Sequence, residues 1–248
     1  MPKIFNYKDL NEGSIVVANK ISGLIKTKEK LNENCVLGLS TGSSPIKTYS
    51  ELIKMHKKEG LSFKNVVIFN LDEFYPMKPN SQFSYHKFMF NKFLKHIDIQ
   101  KKNVNIPKGD ISNKEIRNYC ENFEKKIDNL GGIDLQLLGI GTNGHIGFNE
   151  PGSKISSMTR KVEISNHSRL VLSKDFKSID NVPKNAITMG VKTILKAKKI
   201  ILIAWGKTKS EIIRKTLKEK INPLVPASYL QNHKNTEFIL DNDSSSYL

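Results

Sequence analysis

Ile133-Asp134-Leu135-Gln136-Leu137-Leu138-Gly139-Ile140-Gly141-Thr142-Asn143-Gly144-His145-Ile146-Gly147-Phe148-Asn149-Glu150-Pro151 is the stretch on which the reading of this chain turns. The apolar run at its start has the composition of a buried strand, and the glycines end it. Beyond them, Asn143, His145 and Glu150 arrive in one short loop. An imidazole exchanges protons near neutral pH, and a nearby carboxylate can hold its ring in one orientation. A strand-exit turn with incidental polar residues is the plainer reading. The concentration of Gly, Asn, His and Glu in so few residues favours an active site.

Moving outward, the same alternation of apolar run and turn recurs. Cys35-Val36-Leu37-Gly38-Leu39-Ser40 reads as a buried strand running into Thr41-Gly42-Ser43-Ser44-Pro45, after which Ile46, Tyr49, Leu52 and Ile53 have helical spacing. Val66 to Leu71 is a second such strand and ends in Asp72-Glu73-Phe74-Tyr75-Pro76. Lys199 to Trp205 is another, followed by Gly206-Lys207-Thr208-Lys209 and a helix through Ile212, Ile213 and Leu217. A leading helix is expected over 8–32 and an aromatic-rich helix over 83–96. Ser112-Asn113-Lys114-Glu115 has the pattern of a capping box and predicts a helix at 113–130. Lys161 to Ile164 alternates like a strand, a short helix is expected at 191–197, a last one near 226–231, and a strand at 237–240. Strands separated by helices give an α/β fold, a single-domain Rossmann-like, doubly wound, mostly parallel sheet with helices on both faces. The polar tail from Asp241 to Ser246 is expected to fray.

In a parallel sheet the ligand crevice lies outside the carboxyl ends of the strands. Three of those ends carry the turn Thr41 to Ser44, the acid Asp72, and the Asn143/His145/Glu150 loop, and a fourth supplies Lys209. A Gly/Ser/Thr turn entering a helix can seat a phosphate, although an ordinary turn capped by Ser43 or Ser44 has the same composition. The pattern is neither a Walker loop nor a dinucleotide fingerprint. Asp72 is a candidate base, or it simply opens a turn. The set suits proton transfer on a small phosphorylated molecule, with no cofactor and no metal site implied by cysteine or histidine spacing.

The formal net charge of +16 raises the question of nucleic acid. Only four of the forty basic residues are Arg, namely Arg117, Arg160, Arg169 and Arg214, and bidentate phosphate or guanine recognition favours Arg. The lysines are spread over helix surfaces, so no nucleic-acid partner is expected. No run of 18 apolar residues predicts a membrane span, and the start Met-Pro-Lys-Ile-Phe-Asn-Tyr lacks a signal-peptide core. A cytoplasmic protein with two buried thiols, Cys35 and Cys120, is expected.

Taken together, residues 39–45, Leu71-Asp72-Glu73-Phe74, residues 139–151, Gly206 to Lys209 and Pro226-Ala227-Ser228-Tyr229-Leu230-Gln231 resemble the glucosamine-6-phosphate deaminases, in order over nearly the whole chain. The resemblance implies that residues 1–248 form one sugar-phosphate deaminase/isomerase domain, converting glucosamine 6-phosphate to fructose 6-phosphate and ammonia in amino-sugar catabolism. It implies ring opening by His145 with Asn143 and Glu150, carbon acid chemistry by Asp72, and phosphate binding by Thr41, Gly42, Ser43, Ser44 and Lys209. Lys174 stands where the family usually has a phosphate-binding Arg, and Lys keeps the charge but loses the fork of donors. Asn143 stands where some members carry Asp, and an amide orients a ring without an anion's charge. Val162 in place of a Lys, and a chain ending at Leu248, imply non-allosteric kinetics in a monomer or homo-oligomer. Galactosamine-6-phosphate deamination, lactone hydrolysis as in the related 6-phosphogluconolactonases, or sugar-phosphate binding without catalysis are the alternatives. The segment Phe74 to Phe90 is expected to form a lid over the sugar.

Overall fold

A computed structural model describes residues 2–248. In chain order its elements are β1 (Lys3–Tyr7), α1 (Leu10–Lys30), β2 (Cys35–Leu39), α2 (Ile46–Glu59), β3 (Val66–Asn70), β4 (Asp72–Tyr75), α3 (Tyr85–Lys92), β5 (Val104–Asn105), α4 (Ile116–Asn129), β6 (Leu135–Leu138), β7 (Arg160–Glu163), α5 (Asn166–Phe176), β8 (Asn185–Thr188), α6 (Val191–Leu195), β9 (Ile200–Ala204), α7 (Ser210–Lys218) and β10 (Thr236–Asp241). Seven strands form one sheet in the order β1-β10-β9-β6-β2-β3-β5, every pair parallel.

Strand alternation divides the core between the two faces of this sheet. Leu37, Ile68, Ile201 and Ile203 pack with Val17, Ile21 and Ile25 of α1 and Tyr49 and Leu52 of α2. Their neighbours Val36, Val67, Phe69, Ile200 and Leu202 pack on the other side with Phe123 and Ile127 of α4, Ile194 of α6 and Ile212 and Ile213 of α7. With both faces covered, the strands are continuous apolar runs, as a buried parallel sheet requires. Gln136 is the polar exception at the centre of β6, fully buried, and an added Cβ at Gly38 on neighbouring β2 would strike its side chain. Gly38 is therefore fixed by close packing rather than by backbone angle.

Several expectations are refined. Asp72 to Tyr75 do not turn; they form β4 of a second, antiparallel sheet in the order β4-β8-β7. Strands β1, β5 and β8 and helix α5 carry weak or short patterns and were not expected. At Ser112 only half of the capping box forms: Glu115 Oε2 accepts from both the Ser112 amide and its hydroxyl, and the α-helix begins at Ile116. The helix over 83–96 is shorter, α3 ending at Lys92 before a separate 3-10 turn at Leu94–His96. The tail does not fray. Ser244 is fully buried and donates to Ala204 O at 2.8 Å, and Asp241 accepts from the Gly206 amide at 2.9 Å. Among the described residues, no helix is long and apolar enough to cross a membrane.

Because β9, β6, β2 and β3 are adjacent and parallel, their four carboxyl ends stand side by side. The loops that leave them meet over a single cavity.

Candidate active site

The cavity, of about 220 Å³, is lined by Ser40 to Ser44, by Asp72 and Tyr85, by Gly139 to Thr142 with His145, and by Lys209. At the β2 exit, Gly42 has φ +90°, in the left-handed region that favours glycine. Among the described residues no side chain caps the first turn of α2, so the hydroxyls of Ser43 and Ser44 are not spent as caps. The turn is braced from behind by Trp205 Nε1, which donates to Ser44 O at 3.0 Å. Lys209 donates from Nζ to Ile140 O at 2.7 Å, and burial holds its ammonium below the usual lysine range. Hydroxyls and a partly desolvated cation on one wall have the chemistry to seat an anion.

Asp72 begins β4 and is only 6% exposed. Burial, reinforced by the charge of adjacent Glu73, pushes its carboxyl up to about 8. Glu73 itself points away into the protein. Its Oε1 accepts from the Phe74 and Tyr85 amides at 2.9 Å, and its Oε2 accepts from the His86 amide at 3.0 Å and lies 3.0 Å from His86 Nδ1. One residue of the acidic pair thus anchors the start of α3, while the other faces the cavity with a proton affinity suited to moving protons near neutral pH.

The β6 exit supplies the relay. Asn143 Oδ1 lies 2.7 Å from His145 Nδ1, and Asn143 Nδ2 donates to Glu150 Oε2 at 2.8 Å. Glu150 Oε2 is also 3.6 Å from His145 Nδ1. An amide oxygen only accepts, so Nδ1 carries the hydrogen and Nε2 is the nitrogen left to exchange a proton with a ligand. Burial works to raise the Glu150 carboxyl, but hydrogen bonds and charge from His145, with Ser168 and Asn143, outweigh it and bring it down to about 2. The ring lies flat over Gly141, where an added Cβ would collide with Cε1, Nδ1 and Nε2. Gly147, with φ +56°, brings the same loop against Asp72: a Cβ there would stand 3.4 Å from Asp72 Oδ2. The loop's glycines thus join the two halves that the strand ends place at one crevice.

The structure therefore brings Thr41, Gly42, Ser43, Ser44, Asp72, His145 and Lys209 to one cavity, with Asn143 and Glu150 directly behind the imidazole. Lys174 is not among the cavity's lining; it is exposed in the last turn of α5. From the segment Phe74 to Phe90, expected to cover the sugar, Tyr85 lines the cavity, and α5 adds His167, Ser168, Val171 and Leu172. Phe74, Phe148 and Phe176 cluster beneath, with the Tyr85 ring 4.7 Å from that of Phe74. Helix α5 was missed because its apolar residues Leu170, Val171 and Leu172 are consecutive and lack helical periodicity.

The family model for glucosamine-6-phosphate isomerases/6-phosphogluconolactonase matches residues 9–239. The chain belongs to this family. Among its relatives, a glucosamine-6-phosphate deaminase of Thermoanaerobacter sp. is 42% identical over 98% of this chain and 92% of its own length. One from Clostridium botulinum is 42% identical over 98% and 96%. A putative glucosamine-6-phosphate deaminase-like protein of Bacteroides thetaiotaomicron is 45% identical over 98% of this chain, which spans only 36% of that longer protein. A solved monomeric glucosamine-6-phosphate deaminase superposes with a TM-score of 0.94 at 40% identity, covering 99% of this chain and all of the other. The 6-phosphogluconolactonase of Trypanosoma brucei shares the fold, with a TM-score of 0.80 at 19% identity, covering 100% and 99%. Within the glucosamine-6-phosphate isomerase/6-phosphogluconolactonase family, the chain sits on the deaminase side by identity.

Proposed function

We propose that the protein is a glucosamine-6-phosphate deaminase, acting on glucosamine 6-phosphate to give fructose 6-phosphate and ammonia, with residues 1–248 working as one domain in the cytoplasm. The observation that carries this reading is the pairing, in one cavity, of a buried carboxyl raised to about 8 with an imidazole whose Nδ1 is committed to Asn143. A protonated amine entering beside Asp72 supplies the countercharge that the buried carboxylate lacks and favours its ionised form. A lactone offers no such cation.

The steps follow from the positions. The substrate phosphate sits on Thr41 to Ser44 with Lys209 as its point charge, which leaves the sugar ring between His145 and Asp72. His145 takes a proton from the anomeric hydroxyl at Nε2 and returns it to the ring oxygen, opening the pyranose. Asp72 removes the proton from C2, acidified by the new C1 aldehyde and the C2 nitrogen, and an enolamine forms. Reprotonation at C1 gives a ketimine, and water adds at C2 and expels ammonia. Acid–base steps of this kind contribute roughly 10²- to 10⁴-fold each.

The test is an assay of fructose 6-phosphate and ammonia from glucosamine and galactosamine 6-phosphates, with Asp72→Asn as control. Turnover of the glucosamine compound, lost by orders of magnitude in the variant with binding retained, supports the reading. A folded protein that releases no ammonia from either compound overturns it. The monomeric deaminase neighbour supports a monomer here, which light scattering of the purified chain decides.

A further inference from the structure

The first turn of α5 reaches back to the catalytic loop through two adjacent side chains. Ser168 Oγ lies 3.3 Å from His145 Nδ1, and His167 Nε2 lies 2.9 Å from Thr142 Oγ1. Ser168 is 3% exposed, although α5 is otherwise largely a surface helix. Its own amide is satisfied by the N-cap, Ser165 Oγ, at 3.1 Å, and its hydroxyl makes no hydrogen bond within α5. At the same ring nitrogen stands Glu150, its Oε2 3.6 Å from Nδ1 and taken by Asn143, its Oε1 buried with no hydrogen-bond partner among the described residues.

Two facts fix the direction of the Ser168 contact. Nδ1 carries its hydrogen because Asn143 Oδ1 can only accept, so Ser168 Oγ meets Nδ1 as an acceptor and its own hydrogen must go elsewhere. The group at hand that needs one is the Glu150 carboxylate, whose Oε2 lies 3.6 Å from the same Nδ1 and whose Oε1 has no partner among the described residues. A buried carboxylate with an unserved oxygen is costly, and a hydroxyl donor offsets that cost.

We propose that Ser168 is a positioning residue of the proton relay: its oxygen shares the His145 Nδ1 hydrogen, its hydroxyl donates to Glu150, and the docking of α5 by His167 on Thr142 keeps it there. The relay then has four members, Glu150, Asn143, Ser168 and His145, drawn from two elements rather than one loop. Ser168 acts through His145 and Glu150; its contribution is to fix the tautomer that leaves Nε2 free.

The proposal rests on the deaminase reading only for its kinetic arm. Ring ¹⁵N signals of histidine-labelled protein report which nitrogen of His145 carries the hydrogen, whether or not any substrate turns over, with His145→Gln identifying the signals. The wild type is expected in the Nδ1–H form. Ser168→Ala is expected to populate the Nε2–H form detectably, to lower kcat about tenfold with KM little changed, as for loss of one hydrogen bond to a charged group, and to move the acidic limb of the pH–rate profile upward as Glu150 loses a donor. Ser168→Thr keeps the hydroxyl and is expected to restore both readouts to within about threefold. Ser168→Cys, which keeps the volume and loses the strong donor, stands in if the alanine variant does not fold. Unchanged ring signals in the alanine or cysteine variant, or equal losses in the threonine variant, overturn the proposal. A wild type with the expected tautomer but no ammonia release sinks the deaminase reading alone.

Discussion

Asn143 Nδ2 donates to Glu150 Oε2 at 2.8 Å while the same amide's oxygen faces His145 Nδ1. The carboxylate thus acts on the imidazole largely through a neutral carboxamide, which fixes direction without adding charge. Asn143→Ala should remove both bonds and lower kcat/KM by about 10- to 100-fold with little change in melting temperature, read by steady-state kinetics beside thermal unfolding. Asn143→Asp instead sets a second anion against Glu150. Like charges raise a carboxyl pKa, so Glu150 should rise from about 2 and the acidic limb of activity should move to higher pH. A limb that stays in place refutes this account.

The raised carboxyl of Asp72 has its own pH signature. As the proposed base for C2 it must be ionised, so kcat/KM should climb through about pH 8. Glu73→Gln removes the neighbouring charge, and the climb should move to lower pH by a few tenths of a unit to about one. The burial contribution persists in this variant, so a complete return to an ordinary aspartate profile is not expected. A full pH profile of both proteins checks it.

Stability should show the same group with opposite consequences. Since the folded pKa of about 8 lies above the ordinary 3.8, Asp72 costs nothing below about pH 4. The cost grows as pH rises from there through about 8 and then levels off. Asp72→Asn should therefore match the wild type near pH 4 and exceed it at pH 8, by about 5 °C or more in Tm for a chain of this size. Differential scanning at the two pH values decides the matter. A destabilised variant at pH 8 would mean that the carboxylate is paired after all.

Phosphate recognition separates the two lysines. Lys209 lies in the cavity wall and Lys174 does not. Lys209→Ala should raise KM for the sugar phosphate by about 10-fold or more, the weight of one charge-assisted contact, and Lys174→Ala should change it by less than about twofold. Parallel KM measurements test this, and a comparable rise in the Lys174 variant would mean that α5 delivers that side chain once substrate is bound.

The main sheet was legible because β2, β3, β6 and β9 are buried on both faces and so appear as largely apolar runs, Gln136 in β6 notwithstanding. The small sheet was legible only in part: β7 showed itself by the alternation from Lys161 to Ile164, whereas β4 contains Asp72 and Glu73, whose charge disguises it, and β8 went unread. The side chains at the strand exits were readable for a related reason: a carboxyl-end turn after an apolar run is a recognisable place. Ser168 and His167 offered no such signal, since they lie on a helix that reaches the site only through tertiary packing. Tyr85 was masked by the aromatic residues around it.

The anchored tail has a practical side. Asp241 holds the Gly206 amide, Gly206 with φ +82° opens the turn leading to Lys209, and Ser245 reaches across to Asn6 near the other terminus. Cutting back the last few residues would release a brace on the wall proposed to seat the phosphate, so a trimmed protein is expected to keep its sheet and bind a sugar phosphate more weakly. An affinity handle joined directly after Leu248 risks straining that brace, and a flexible spacer between the two is the remedy.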